Sequence, residues 1–233
     1  MENSPSEKLT KGLAGLYDRC VGYHSLGARF AKWRAVITIG ENIPTDGCIQ
    51  DNASALAKYA KACQDAELVP IVEPEVLMDG VHTIETCYEI SEKTFKTVFE
   101  ELENEGVYLP GILLKPNMVI SGKDCPVQGD MNTVVEMTVK CLKASVPEDV
   151  PGIVFLSGGQ SETEATEHLN AMNAMDDCPW ALSFSYGRAL QQSALRAWGG
   201  DNANLETTYA TFYHRAEMNS KACHGEYSPE LEI

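Results

Sequence analysis

The chain has 233 residues, 44% of them hydrophobic and 22% charged, with a formal net charge of -16 at pH 7. That length and balance suit one domain with a sizeable core and exclude a disordered or fibrous chain. The negative charge repels phosphate backbones, and no cluster of Lys and Arg interleaved with aromatics offsets it, which excludes nucleic acid as a partner and means that an anionic substrate needs a locally positive pocket.

The start, MENSPSEKLTKG, is polar, and no apolar stretch approaches bilayer length, so the expected place is the cytoplasm, with no membrane partner. Residues 1–9 read as a polar segment, residues 10–222 as the folded body and residues 223–233 as a short tail. Short apolar runs bounded by loop residues predict five buried strands, at ARFAKWRAVI, ELVPIVEPEV, PGILLKPNM, PGIVFLSGG and PWALSFSYG. Helices are predicted between them. In residues 49–66, Ala53, Leu56, Ala57, Ala60 and Cys63 share one face, as do Cys87, Ile90, Thr94, Val98 and Leu102 in residues 83–104, where Gly106 marks the stop. Residues 130–145 and 161–174 are two more helices, the second opened by SETE, Ser161 to Glu164, with the spacing of a capping box. Another helix is expected to start at Arg188, and a last one, followed by a polar tail, occupies the final 30 or so residues.

The eight cysteines are scattered singly, which predicts reduced, mostly core-filling thiols. The five histidines lack ligand spacing, so neither a metal site nor a cofactor is expected, and His82 and His168 read as a solvated helix-start and a helix-surface residue.

Strand and helix alternate with a period of roughly 40 residues, which calls for parallel strands joined by right-handed crossovers. Polar residues are expected at the carboxyl ends of the strands: Lys32, Glu73, Lys115, Ser157, then Ser185 with Arg188. In a (β/α)8 barrel such ends converge on one mouth, whereas an open dinucleotide-binding sheet needs a GxGxxG that does not occur here.

Lys115 closes an apolar run, Ile112–Leu114, directly before a proline. A lysine attacks a carbonyl only as the free amine, a form that desolvation or a second cation favours, and Lys32 is the candidate second cation. The imine so formed is an electron sink, and Glu73 in IVEPE is the nearest carboxyl for proton transfer, with Glu75 two residues on. The bland alternatives are a lysine snorkelling at a strand end and a structural ion pair between Glu73 and Lys32. FLSGGQSE and SYGRAL each place glycine at a helix start, the second with Arg188, a pattern that suits phosphate.

The series FAKWR, LAKYA, PIVEPE, LLKPNMV, FLSGGQSE and PWALSFSYGRALQ resembles the class I fructose-bisphosphate aldolase family, in order, from about residue 10 to about residue 227. The resemblance implies a TIM (β/α)8 barrel, here truncated to about five βα units because the family's first three strands have no counterpart. It implies that Lys115 is the Schiff-base lysine, that Glu73 is the acid/base of carbinolamine dehydration, and that Lys32 assists proton transfer and substrate contact. Arg34 would contact the substrate's far end, and Ser157, Gly158, Gly187 and Arg188 would hold a phosphate. The implied reaction is reversible cleavage of fructose 1,6-bisphosphate to dihydroxyacetone phosphate and glyceraldehyde 3-phosphate in glycolysis, without metal. The short tail YSPELEI departs from the family's terminal tyrosine, and Pro110 stands where the family has glutamate. Five strands cannot close a barrel. The chain is therefore expected to be a fragment, to assemble as a homo-oligomer or with a full-length aldolase, or to be only marginally stable; an impaired enzyme and a non-catalytic assembly protein are the two readings. A transaldolase-like barrel fits the lysine but not the motif series.

Overall fold

We describe the protein from a computed structural model covering residues 4, 6–175 and 177–232; Met1, Glu2, Asn3 and Pro5 of the polar start and Ile233 of the tail lie outside the described residues. Among these, five parallel strands form one sheet in chain order: β1 (Phe30–Ile37), β2 (Val69–Val76), β3 (Leu113–Leu114), β4 (Gly152–Phe155) and β5 (Ala181–Phe184). They alternate with α2 (Asp46–Asp65), α3 (Ile84–Asn104), α4 (Met131–Ser145) and α5 (Glu162–Ala174). Ahead of the sheet comes α1 (Leu16–Ser25), and after it α6 (Arg188–Trp198) and α7 (Leu205–Ala222). Each strand is added on the same side of the one before, so right-handed crossovers put α2 to α5 on one face. The period of two along each strand then divides the side chains. Ala35 and Ile37, Val72, Leu114, and Ile153 and Phe155 are buried with the helix residues predicted to face inward, among them Leu56, Ala60, Cys63, Val98 and Leu102. The opposite face carries Lys32, Arg34, Glu73, Glu75 and Lys115.

Helix starts follow local chemistry. Thr45, Thr83 and Asp130 each cap a helix through a side-chain oxygen, and Ser161 with Glu164 forms the predicted capping box, satisfying free N–H groups in both directions. Gly106, at φ 68°, provides the left-handed residue that lets the chain leave α3. The polar start is anchored at α2: the buried Glu7 carboxylate accepts from the Thr45 N–H and hydroxyl, both at 2.7 Å. Residues of the tail are tied down as well, since the carboxylate of Glu232 pairs with the buried Arg215 of α7 and accepts from the Tyr227 hydroxyl at 3.0 Å.

Three expectations need correction. Lys32 does not end its strand but is the third of eight residues in β1, because the extended backbone runs on through Arg34 to Ile37, paired with β2 over its whole length. The predicted strand 110–118 keeps only two ladder residues: Leu109–Gly111 is a turn of 3-10 helix and Pro116 has no N–H to donate. His82 is not solvated. It is buried, with neither ring nitrogen hydrogen-bonded, and His168 is half-buried with Nδ1 at 2.5 Å from Gln160 Oε1. Burial pushes both imidazoles below their ordinary pKa.

Candidate active site

Four loops meet at the carboxyl ends of the strands and enclose a cavity of about 390 Å3. Arg34, Glu73 and Glu75 reach it from β1 and β2, and Lys115 from the residue after β3. Ser157 and Gly158 enter after β4, and Ser185, Gly187 and Arg188 after β5. Of the predicted site residues only Lys32 is not part of the lining; it lies beside it, against Glu73.

The strand geometry explains the grouping. Arg34 pairs with Glu73 in register, and Lys115 N–H donates to the Val72 carbonyl at 2.8 Å, so the three side chains rise from adjacent strands at one level. Glu73 is 3% exposed and bridges two amines: its Oε1 is 3.2 Å from Lys115 Nζ and its Oε2 is 2.8 Å from Lys32 Nζ. The Lys32 contact is an ion pair without hydrogen-bond alignment, since Oε2 is buried and takes no well-directed donor. The two lysines differ in setting: the Lys115 side chain is 11% exposed, that of Lys32 42%. Arg34 pairs with Glu75 instead, which holds its guanidinium pKa up.

Past Pro116, the side chain of Asn117 does the work of the missing ladder. Its Oδ1 accepts from the Val76 N–H at 2.9 Å, and its Nδ2 donates to Ser91 Oγ and to the Met118 carbonyl, each at 3.1 Å. Lys115 is thereby fixed between β2 and α3 although β3 is two residues long. On the other side of the cavity, Gly158 and Gly159 have φ of 53° and 78°, a left-handed pair that glycine alone adopts readily. A Cβ on Gly159 would also run into the side chain of Met78. The N-cap of α6 is Gly187, which has no side chain to cap the helix, and free N–H groups in a first helical turn suit an anion.

A larger groove, about 630 Å3, lies between the carboxyl ends of α3 and α4, lined by Lys96, Glu100, Glu103 and Lys143 among others; none of the predicted site residues is there. Among the described residues no group of three or more His, Cys, Asp or Glu could hold a metal ion, and no helix is long and apolar enough to cross a membrane. The eight cysteines are free, six of them buried, as their scatter suggested.

Parallel strands that carry lysine, carboxylate, arginine and two glycine turns to one cavity define an α/β protein built around a buried amine and carboxylate. Comparison with known proteins narrows this. The family described as "Fructose-bisphosphate aldolase class-I" matches residues 1–232. A probable fructose-bisphosphate aldolase class 1 of Xanthomonas axonopodis pv. citri is 53% identical over 224 residues, 96% of this chain and 67% of the relative. A fructose-bisphosphate aldolase of Dictyostelium discoideum is 51% identical, over 96% of this chain and 63% of the relative. A crystal structure of the Plasmodium falciparum aldolase, in complex with TRAP and a small molecule inhibitor, superposes with a TM-score of 0.96 at 48% identity, over 98% of this chain and 66% of that one. The chain belongs to the class I fructose-bisphosphate aldolase family, whose members are lyases of glycolysis. It spans about two thirds of the length of the relatives it matches.

Proposed function

We propose that the cavity performs the imine chemistry of a class I aldolase, with Lys115 as the nucleophile. Lys115 Nζ adds to the ketone carbon of dihydroxyacetone phosphate or of the open-chain fructose 1,6-bisphosphate. The carbinolamine then loses water as the proton that Lys115 gave to Glu73 on becoming the free amine passes to the departing hydroxyl, leaving a protonated imine. With the ketose bisphosphate, the bond between C3 and C4 breaks, its electron pair moves into the protonated imine to give an enamine, and the C4 hydroxyl proton passes to the Glu73 carboxylate as glyceraldehyde 3-phosphate separates. Protonation at C3 and hydrolysis return dihydroxyacetone phosphate and the free amine. Lys32 steadies the Glu73 carboxylate, Arg34 contacts the far end of the substrate, and Ser157, Gly158, Gly187 and Arg188 hold its phosphate.

The 3.2 Å approach of Lys115 Nζ to the buried carboxylate of Glu73, in a cavity walled on the other side by Arg188 and glycine turns, carries this reading. The bland alternative, a lysine snorkelling to solvent, suits Lys115 poorly at 11% side-chain exposure. We further infer that the five βα units are an arc of a (β/α)8 barrel, since strict chain order and one-sided helices are what a closing barrel requires. A cytoplasmic setting is supported by the relative from Arabidopsis thaliana named fructose-bisphosphate aldolase 4, cytosolic, 49% identical.

Borohydride reduction in the presence of dihydroxyacetone phosphate, followed by peptide mapping, tests the proposal. An adduct on Lys115, absent from the Lys115→Arg variant, is the expected result. Folded wild-type protein without that adduct would overturn it.

A further inference from the structure

The cavity wall also carries a carboxylate that the chemistry above does not use. Asp79, in the loop after β2, lines the cavity with Arg188, Ser157 and Gly158. An anion there repels the phosphate and competes with it for Arg188. Its charge is answered from outside: Lys123 Nζ, which is not part of this lining, lies 2.6 Å from Asp79 Oδ1. That hydrogen bond is the main reason the Asp79 carboxyl sits below its usual pKa range; slight desolvation opposes it and the field of Arg188 adds to it.

The loop bearing Asp79 does not depend on this ion pair for its course. Lys123 N–H donates to the Met78 carbonyl at 2.8 Å, Gly122 N–H to His82 at 2.9 Å and Asp124 N–H to Gly80 at 3.0 Å. The approach is so close that a Cβ on Gly122 would sit 2.4 Å from the Gly80 carbonyl oxygen. Side-chain changes at Lys123 therefore alter charge and leave these bonds in place.

We propose that Lys123 is a positioning residue that sets the phosphate affinity of the cavity: by neutralising Asp79 it leaves Arg188 to the substrate. The inference rests on the proposed reading of the cavity as a phosphate ester site. Without Lys123, Asp79 turns its charge on Arg188 and on the incoming dianion.

The test compares dihydroxyacetone phosphate with dihydroxyacetone, which offers the same carbonyl without the phosphate, in borohydride trapping at Lys115. In Lys123→Gln the half-saturating concentration of the phosphate ester should rise about three- to fivefold at low ionic strength, in line with the range for exposed ion pairs, while the maximal trapping rate stays unchanged. Dihydroxyacetone should trap equally well in both proteins. Raising the salt concentration should shrink the difference. Lys123→Arg should behave as wild type, and the Asp79→Asn, Lys123→Gln double variant should recover wild-type affinity or better. An unchanged half-saturation in Lys123→Gln, an equal loss with dihydroxyacetone, or a double variant as weak as the single one overturns the proposal while Lys115 labelling in the wild type stands. Wild-type protein that traps neither ketone overturns the reading of the cavity and this inference with it.

Discussion

Replacing Asn117 with alanine removes three hydrogen bonds at once, and their sizes can be worked out from the site. Asn117 is 3% exposed, so the Val76 N–H that its Oδ1 satisfies loses its acceptor in a place water does not reach. A buried donor left unpaired costs about 1–3 kcal/mol. Ser91 and the Met118 carbonyl lose a donor each, adding roughly 1 kcal/mol together after relaxation. The expected loss is about 3 kcal/mol, or a fall in Tm of roughly 6–12 °C for a chain of this size. Asn117→Asp keeps the acceptor but sets a second carboxylate oxygen against the Met118 carbonyl in a buried place, so it should cost at least as much as alanine. Thermal unfolding followed by circular dichroism gives the first number. Borohydride trapping of dihydroxyacetone phosphate gives the second, which should slow in the alanine variant even well below its Tm, because the Asn117 side chain bonds the segment after Lys115 to β2 at Val76. An alanine variant that melts within about 3 °C of wild type and traps at the same rate refutes the view that this side chain replaces the missing ladder.

The buried His82 gives a pH dependence with a definite sign. Its pKa is lowered by burial, so between about pH 6.5 and the lower folded value the unfolded chain binds a proton that the native one does not, and stability falls as pH falls through that window. His82→Phe keeps the ring shape and should flatten the stability curve between pH 7 and pH 5; urea midpoints at several pH values would show it, and an unchanged slope would count against the burial argument. For the cysteines, burial raises the pKa of Cys48 to about 11 and of Cys63 to about 12. Native protein at pH 8 should expose no more than the half-buried Cys178 and Cys223 to Ellman's reagent, with all eight reacting in denaturant; rapid modification of Cys63 in folded protein would contradict the core placement.

What could be read from the residues differed by element, for physical reasons. α2, α3, α4 and α5 were legible because each has a side-chain cap and an apolar stripe against the sheet, and Ser161 with Glu164 even announced its reciprocal bonds. No sign in the sequence pointed to α1: it starts at a glycine in left-handed conformation, contains Gly22 and buries only Leu16 and Cys20. Lys115, Glu73 and the two glycine turns stood out because charged or flexible residues interrupt apolar runs. Asn117, Asp79 and Lys123 did not, since each acquires its role from a partner tens of residues away: Val76, Lys123 and Asp79. His82 misled for the same reason: a histidine near a helix start is ordinarily wet, but here residues 78–82 are bonded main chain to main chain with residues 122–124 as a strap and the ring is buried.

That strap has a bearing on how the site can change over generations or on the bench. Its bonds join main chain to main chain, so the side chains at Met78, Asp79 and Lys123 can change without removing any of those bonds. Recognition can thus drift by single substitutions, one charge at a time, without the protein having to find a new way to fold. For redesign toward other ketone donors, these three positions are where libraries should begin.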